Sequence, residues 1–187
     1  MIEKDQDFEK EENQLNTKNM HLISNIIDNY AKTWTSLLEY DEDKLEIPHN
    51  LQVSSKLFDY DIAKKAINQL KNFLFENDDS GRLFGLEREK HLESILLTLE
   101  QTMFNEELYK STEEKAANLL YMIIKDHPFS DGNKRIGSFL FLLYLKINQL
   151  PLMLDDNGMI ALALLIAESN PFQKDLIVRL VINLIKQ

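Results

Sequence analysis

The sequence predicts an all-α protein, and three observations carry that prediction. Apolar residues recur at three- and four-residue spacing in block after block, the period of one helix face. Residues that start and stop helices punctuate those blocks. One block, from Ile136 to Leu145, is apolar on nearly every side, as a helix at the centre of a core would be.

Taken in order, residues 1–18 are polar and acidic and read as a flexible arm. From His21 to about Glu39, Leu22, Ile23, Ile26, Ile27, Tyr30, Trp34, Leu37 and Leu38 mark a helix, the main element of an extension over residues 19–56. Residues 41–50 read as a connection. A second helix spans Tyr60 to Phe75, with Ile62, Ala63, Ala66, Ile67, Leu70, Phe73 and Leu74 on one face. Asn77 to Gly81 end it with turn chemistry, and a further helix covers about Glu87 to Leu99. Thr102 to Lys110 lacks helical periodicity and reads as an extended segment or half of a hairpin.

Ser111 and Glu114 form a capping-box pair at the start of the next helix. That helix should stop before His127, because Pro128 disfavours helical geometry at the residue preceding it. The central helix comes after it, at about 132–148. Asp155 to Gly158 read as a turn, and Met159 to Ala167 and Pro171 to Ile185 as two more helices, the last with Asn170 as N-cap and Pro171 at its first position. The result is a chain of seven or eight helices with no internal repeat.

Composition sets bounds on function. The 187 residues carry a formal charge of −10, which argues against a nucleic-acid surface. With no cysteine there is neither a disulfide framework nor a thiolate metal site, which fits a cytoplasmic protein. The first residues lack the basic and apolar regions of a secretory signal, and the longest apolar run is too short to span a membrane.

The chemistry concentrates in His127-Pro128-Phe129-Ser130-Asp131-Gly132-Asn133-Lys134-Arg135. His127 can accept a proton near neutral pH. Asp131 is a hard oxygen ligand suited to Mg²⁺. Gly132 lets the backbone turn and approach a ligand, Asn133 offers a neutral donor, and Lys134 and Arg135 supply positive charge, the arginine in a bidentate fork. All of them stand at a helix start, where unpaired N–H groups and the helix dipole attract anions. Base, metal ligand and anion cradle are the parts of a phosphoryl- or nucleotidyl-transfer site. A loop of Asp, Gly, Asn and Ser is also an ordinary turn and helix cap.

This segment resembles the signature of the Fic/Doc (Fido) family: histidine, phenylalanine two residues later, then an acid, glycine or alanine, asparagine, glycine or lysine, and arginine. Every fixed position is matched. The resemblance implies a Fic-type helical bundle over about residues 57–187, with the short stretch Thr102–Lys110 as a β-hairpin flap that aligns a target backbone. It implies transfer of AMP from ATP, with Mg²⁺, onto a Ser, Thr or Tyr hydroxyl of a target protein. His127 would be the general base and Asp131 the Mg²⁺ ligand. Gly132, Asn133 and Lys134 would make the anion nest, Arg135 would grip phosphate, and Phe129 would anchor the loop. The AMP-transferring pattern has glycine where Lys134 stands and a second arginine where Ser138 stands. Both departures look like Doc, whose members transfer phosphate, and that is the alternative reading. Two partial matches to the family's inhibitory helix, Ser24–Asn29 and Thr35–Tyr40, each miss one position. A separate antitoxin or inhibitor protein is therefore a further expected partner, and nucleic acid and membrane are not. A non-catalytic helical binding module that keeps the loop as scaffold is the competing class.

Overall fold

A computed structural model describes residues 20–54, 58–77, 79–152 and 154–186; the arm expected at 1–18 lies outside them. The chain divides into two compact units, Met1–Leu45 and Glu46–Gln187. In the first, residues 20–29 are helical (α1) and Ala31–Asp41 form α2. The single helix expected here is interrupted at Tyr30, whose backbone leaves helical geometry (φ −112°, ψ 16°). The hydrogen-bond ladder still runs through it, from Tyr30 N–H to the Ile26 carbonyl and from Trp34 N–H to the Tyr30 carbonyl, both 3.1 Å.

The second unit begins at Glu46, ahead of the boundary expected at 57. Its opening segment is built onto the next helices rather than onto a linker. Gln52 N–H donates to both Glu113 carboxylate oxygens at 3.0 and 3.1 Å, and Thr112 N–H donates to the Gln52 carbonyl. Ser54 N–H reaches the Lys110 carbonyl at 3.0 Å. A charged acceptor for a backbone N–H makes the first of these bonds stronger than a neutral pair.

Helix α3 spans Tyr60–Glu76, capped by the Asp59 side chain on Ile62 N–H at 2.9 Å, with Ala63 and Ile67 buried. α4 covers only His91–Leu99, shorter than expected. Residues 84–88 are drawn instead into backbone pairing with 128–131, and Glu89 and Lys90 take left-handed backbone (φ 43° and 58°) before the helix starts. The ambiguous stretch proves to be a hairpin: β1 (Thr102–Met103) pairs antiparallel with β2 (Glu106–Glu107) around Phe104 and Asn105, both at positive φ.

α5 (Thr112–Asp126) opens with the expected capping box, Ser111 Oγ accepting from Glu114 N–H at 3.1 Å and Glu114 accepting from Ser111 N–H at 2.8 Å. It is buried from Thr112 to Ile124 apart from Glu114, and packs against α4, α6 (Asn133–Ile147), α7 (Asp156–Glu168) and α8 (Lys174–Lys186). The all-α class and the buried helix after the loop are as expected. α5 is nevertheless more enclosed than α6, which buries Ile136, Gly137, Leu140, Phe141, Tyr144 and Leu145 but exposes Leu142 and Ile147. Charged residues hid this from the sequence: Glu113 and Lys115 look like surface positions, yet both are buried and partnered.

α7 starts at Asp156, earlier than expected, because Asp155 is an N-cap that accepts from Gly158 N–H at 2.7 Å rather than part of a free turn. Asn170 caps a short 3₁₀ turn, Pro171–Gln173, that leads into α8. The Lys125 ammonium donates to the carbonyls of Ala167 and Ser169 at 3.1 and 2.7 Å, tying the end of α5 to the end of α7. No helix among the described residues is long and apolar enough to cross a membrane.

Candidate active site

The residues from His127 to Arg135 occupy the turn between α5 and α6, so the last residue of one buried helix and the first turn of another carry the whole motif. α5 ends at Asp126, and His127 is its C-cap with left-handed backbone (φ 50°, ψ 57°), a conformation that costs a non-glycine residue about 1–2 kcal/mol. Its side chain is exposed. The chain then turns inward, and Pro128 and Phe129 are buried, Phe129 completely.

Asn133 clamps this turn. Its Oδ1 accepts from Phe129 N–H at 2.9 Å and its Nδ2 donates to the Phe129 carbonyl at 2.8 Å. The side-chain amide, expected as a ligand donor, thus spends its oxygen and one of its two N–H groups on the loop itself. Asp131 closes the same turn through a 2.7 Å bond from Gly132 N–H to its Oδ1.

Gly132 is required for two separate reasons. Its φ is +88°, and a Cβ there would stand 2.4 Å from the Phe84 ring. As N-cap of α6 it has no side chain to bond the helix start, and no acidic residue occupies the first turn. The leading N–H groups and the positive end of the dipole are therefore left for a ligand.

Arg135 is held in place from three directions. Nη1 donates to the Asp79 carbonyl at 2.7 Å, Nη2 lies 3.4 Å from Asp131 Oδ2, and the guanidinium sits 4.7 Å over the Phe84 ring. Gripping a phosphate would exchange the long Asp131 contact for a better one. Lys134 is exposed and makes no ion pair among the described residues. Lys134, Arg135 and Ser138 border a cavity of about 530 Å³ whose walls are otherwise mostly apolar, among them Leu70, Leu74, Phe139 and Met159.

Two contributors were not anticipated. Phe84, fully buried, lies under Gly132 and against Arg135. Its segment is stitched to the loop by bonds from Gly85 N–H to the Asp131 carbonyl, Ser130 N–H to Leu86 and Arg88 N–H to Pro128. Glu87 holds that segment in turn, accepting from Tyr60 Oη, Lys64 Nζ and Leu92 N–H. Burial alone would raise the Glu87 carboxyl, but the Tyr60 and Lys64 hydrogen bonds outweigh it and leave the group lowered. The hydrogen bond to Glu87 pushes Tyr60 up to about 12. Nothing in the local sequence around Phe84 or Glu87 announces these roles, because each depends on a contact far away in the chain. Next to His127, partial burial raises the Asp126 carboxyl against the opposing pull of nearby positive charge, Lys174 first.

Among the described residues no group of three or more His, Asp or Glu side chains is placed to hold a metal ion. Asp131 alone suits a Mg²⁺ that arrives with phosphates, since such ions take one or two protein carboxylates and fill the remaining positions with phosphate and water.

The motif thus stands in an all-α body, in a polar loop that links the C-capped end of α5 to a start of α6 without a side-chain cap. Residues 59–145 match the model of the Fic/DOC family. The match runs from the N-cap of α3 almost to the end of α6. No curated protein matches the chain. The family match supports a transferase of the Fido type in the broad sense.

Proposed function

We propose that this protein moves AMP from ATP onto a Ser, Thr or Tyr hydroxyl of a target protein in the cytoplasm. The observation that carries the reading is the loop itself: every residue of the family signature is present, between a helix end that exposes His127 and a helix start without a cap. The target hydroxyl oxygen attacks the α-phosphorus while its proton passes to the His127 imidazole. The bond from phosphorus to the pyrophosphate oxygen breaks, and pyrophosphate leaves. The α6 N–H groups and Arg135 stabilise the phosphate charge that builds up, and Lys134 adds a point charge. Asp131 would hold Mg²⁺, which neutralises the nucleotide phosphates when bound.

One observation favours a second outcome. Where AMP-transferring relatives have a glycine and a second arginine, this chain has Lys134 and Ser138, and both line the cleft beside Arg135. A nucleotide bound in the reverse sense would present its γ-phosphorus, so that phosphate is transferred and ADP leaves. A separate inhibitor protein belongs to either reading.

ATP labelled on the α- or the γ-phosphate, incubated with magnesium and a whole-cell protein extract, tests both. AMP transfer predicts α-label on protein, and phosphate transfer predicts γ-label alone. His127→Ala should lose at least about a hundredfold in labelling, the scale of a general base. Equal labelling by wild type and His127→Ala would sink the assignment, and no labelling by either would favour a binding module.

A further inference from the structure

The hairpin of β1 and β2 has little to hold it. Every residue from Gln101 to Leu108 is exposed, and its largest apolar side chains, Met103 and Phe104, are 60% and 92% exposed. A two-stranded hairpin with no apolar face is marginal in water. Its base is closed by one backbone bond, from Leu108 N–H to the Gln101 carbonyl at 2.9 Å.

A single buried ammonium grips both sides of that base. Lys115 is 1% exposed and sits one turn into α5. Its Nζ lies 3.1 Å from both oxygens of Glu100, just before β1, and 3.4 Å from Glu107, in β2. Burying a lysine is costly unless it is paired, and here the partners are the two stalks of the hairpin. Twelve residues further along the same helix stands His127, about 18 Å away at the helical rise.

We infer that Lys115 is a positioning residue that pins the hairpin to the helix carrying His127, so that a target segment paired along the hairpin edge brings its hydroxyl to the base. Edge-strand pairing takes its register from the template strand. A template tethered to α5 keeps a fixed distance to the end of α5, whereas an untethered one does not. This inference rests on the transferase reading above.

The test uses the full chain as wild type, Lys115→Met and Glu107→Gln, with magnesium, labelled ATP and the protein extract. Label on protein and label released to water are counted in the same tube. Water needs no template, so loss of the pin should lower the ratio of protein to water labelling by about a hundredfold for Lys115→Met, the effect of a misplacement near 1 Å. Release to water should hold, and amide exchange at Met103 and Glu106 should accelerate. Glu107→Gln leaves the Glu100 contact in place and should show a smaller fall in the same ratio; it decides the matter if Lys115→Met fails to fold. An unchanged ratio in a variant that folds, or equal falls in both products, overturns the pin and leaves the transferase reading standing. A wild-type chain that labels no protein overturns that reading instead.

Discussion

Gly132 and Phe84 meet so closely that neither can be altered alone. Substituting Gly132→Ala forces a left-handed alanine against a buried ring, and roughly 3 kcal/mol of stability should be lost from the two effects together. Urea unfolding followed by circular dichroism would register it, and labelling activity should fall with it, since the ring also carries Arg135. The motif residues themselves were readable from their order in the sequence. What Asn133 does with its amide was not, because the partner is backbone and backbone carries no sequence signal. Phe84 was invisible for a related reason: a lone phenylalanine between two glycines looks like any loop residue until the chain folds back on it.

At the level of elements, most helices announced themselves through period and caps. Ser111 with Glu114 and Asn170 before Pro171 act as their residue types suggest. The errors fell where a polar side chain had a distant partner. Glu87 looked like the first turn of a helix, and is instead the acceptor that joins α3, the 84–88 segment and α4. That junction should make stability depend on pH at the alkaline end. Tyr60 is held near 12, above its ordinary value of 10, so the folded state favours the neutral phenol. The contribution is fully present below pH 10 and is lost as pH rises from 10 through 12. Thermal melts across that range should decline for wild type, and Tyr60→Phe should be less stable at neutral pH and lose this part of the decline.

For the molecule as a whole, the family match and the folded body do not coincide. The matched segment ends at Leu145, yet α7 and α8 lie beyond it and cover α5. Ile177, Val181, Ile182 and Ile185 of α8 are completely buried. A chain stopped at residue 145 would expose the faces those helices cover, and each large apolar side chain uncovered costs about 1.5–3 kcal/mol. Calorimetry should show no cooperative transition for that truncation; a sharp one would mean the core is complete without α7 and α8. The sequence conveyed this architecture in outline, through the apolar faces of the last two helices. It understated α5, whose buried charges are stable only because Gln52, Glu100 and Glu107 come to meet them.

The left-handed backbone at His127 sets two demands on one position. Ending α5 there asks for glycine, and the proposed role as general base asks for imidazole. His127→Gly should therefore raise the unfolding free energy, read from urea titration, by about 1 kcal/mol while abolishing transfer. A screen of variants for heat tolerance alone would drift toward that glycine and return a sturdier protein with no chemistry. Histidine at 127 thus records a choice against thermal robustness, made where one helix ends.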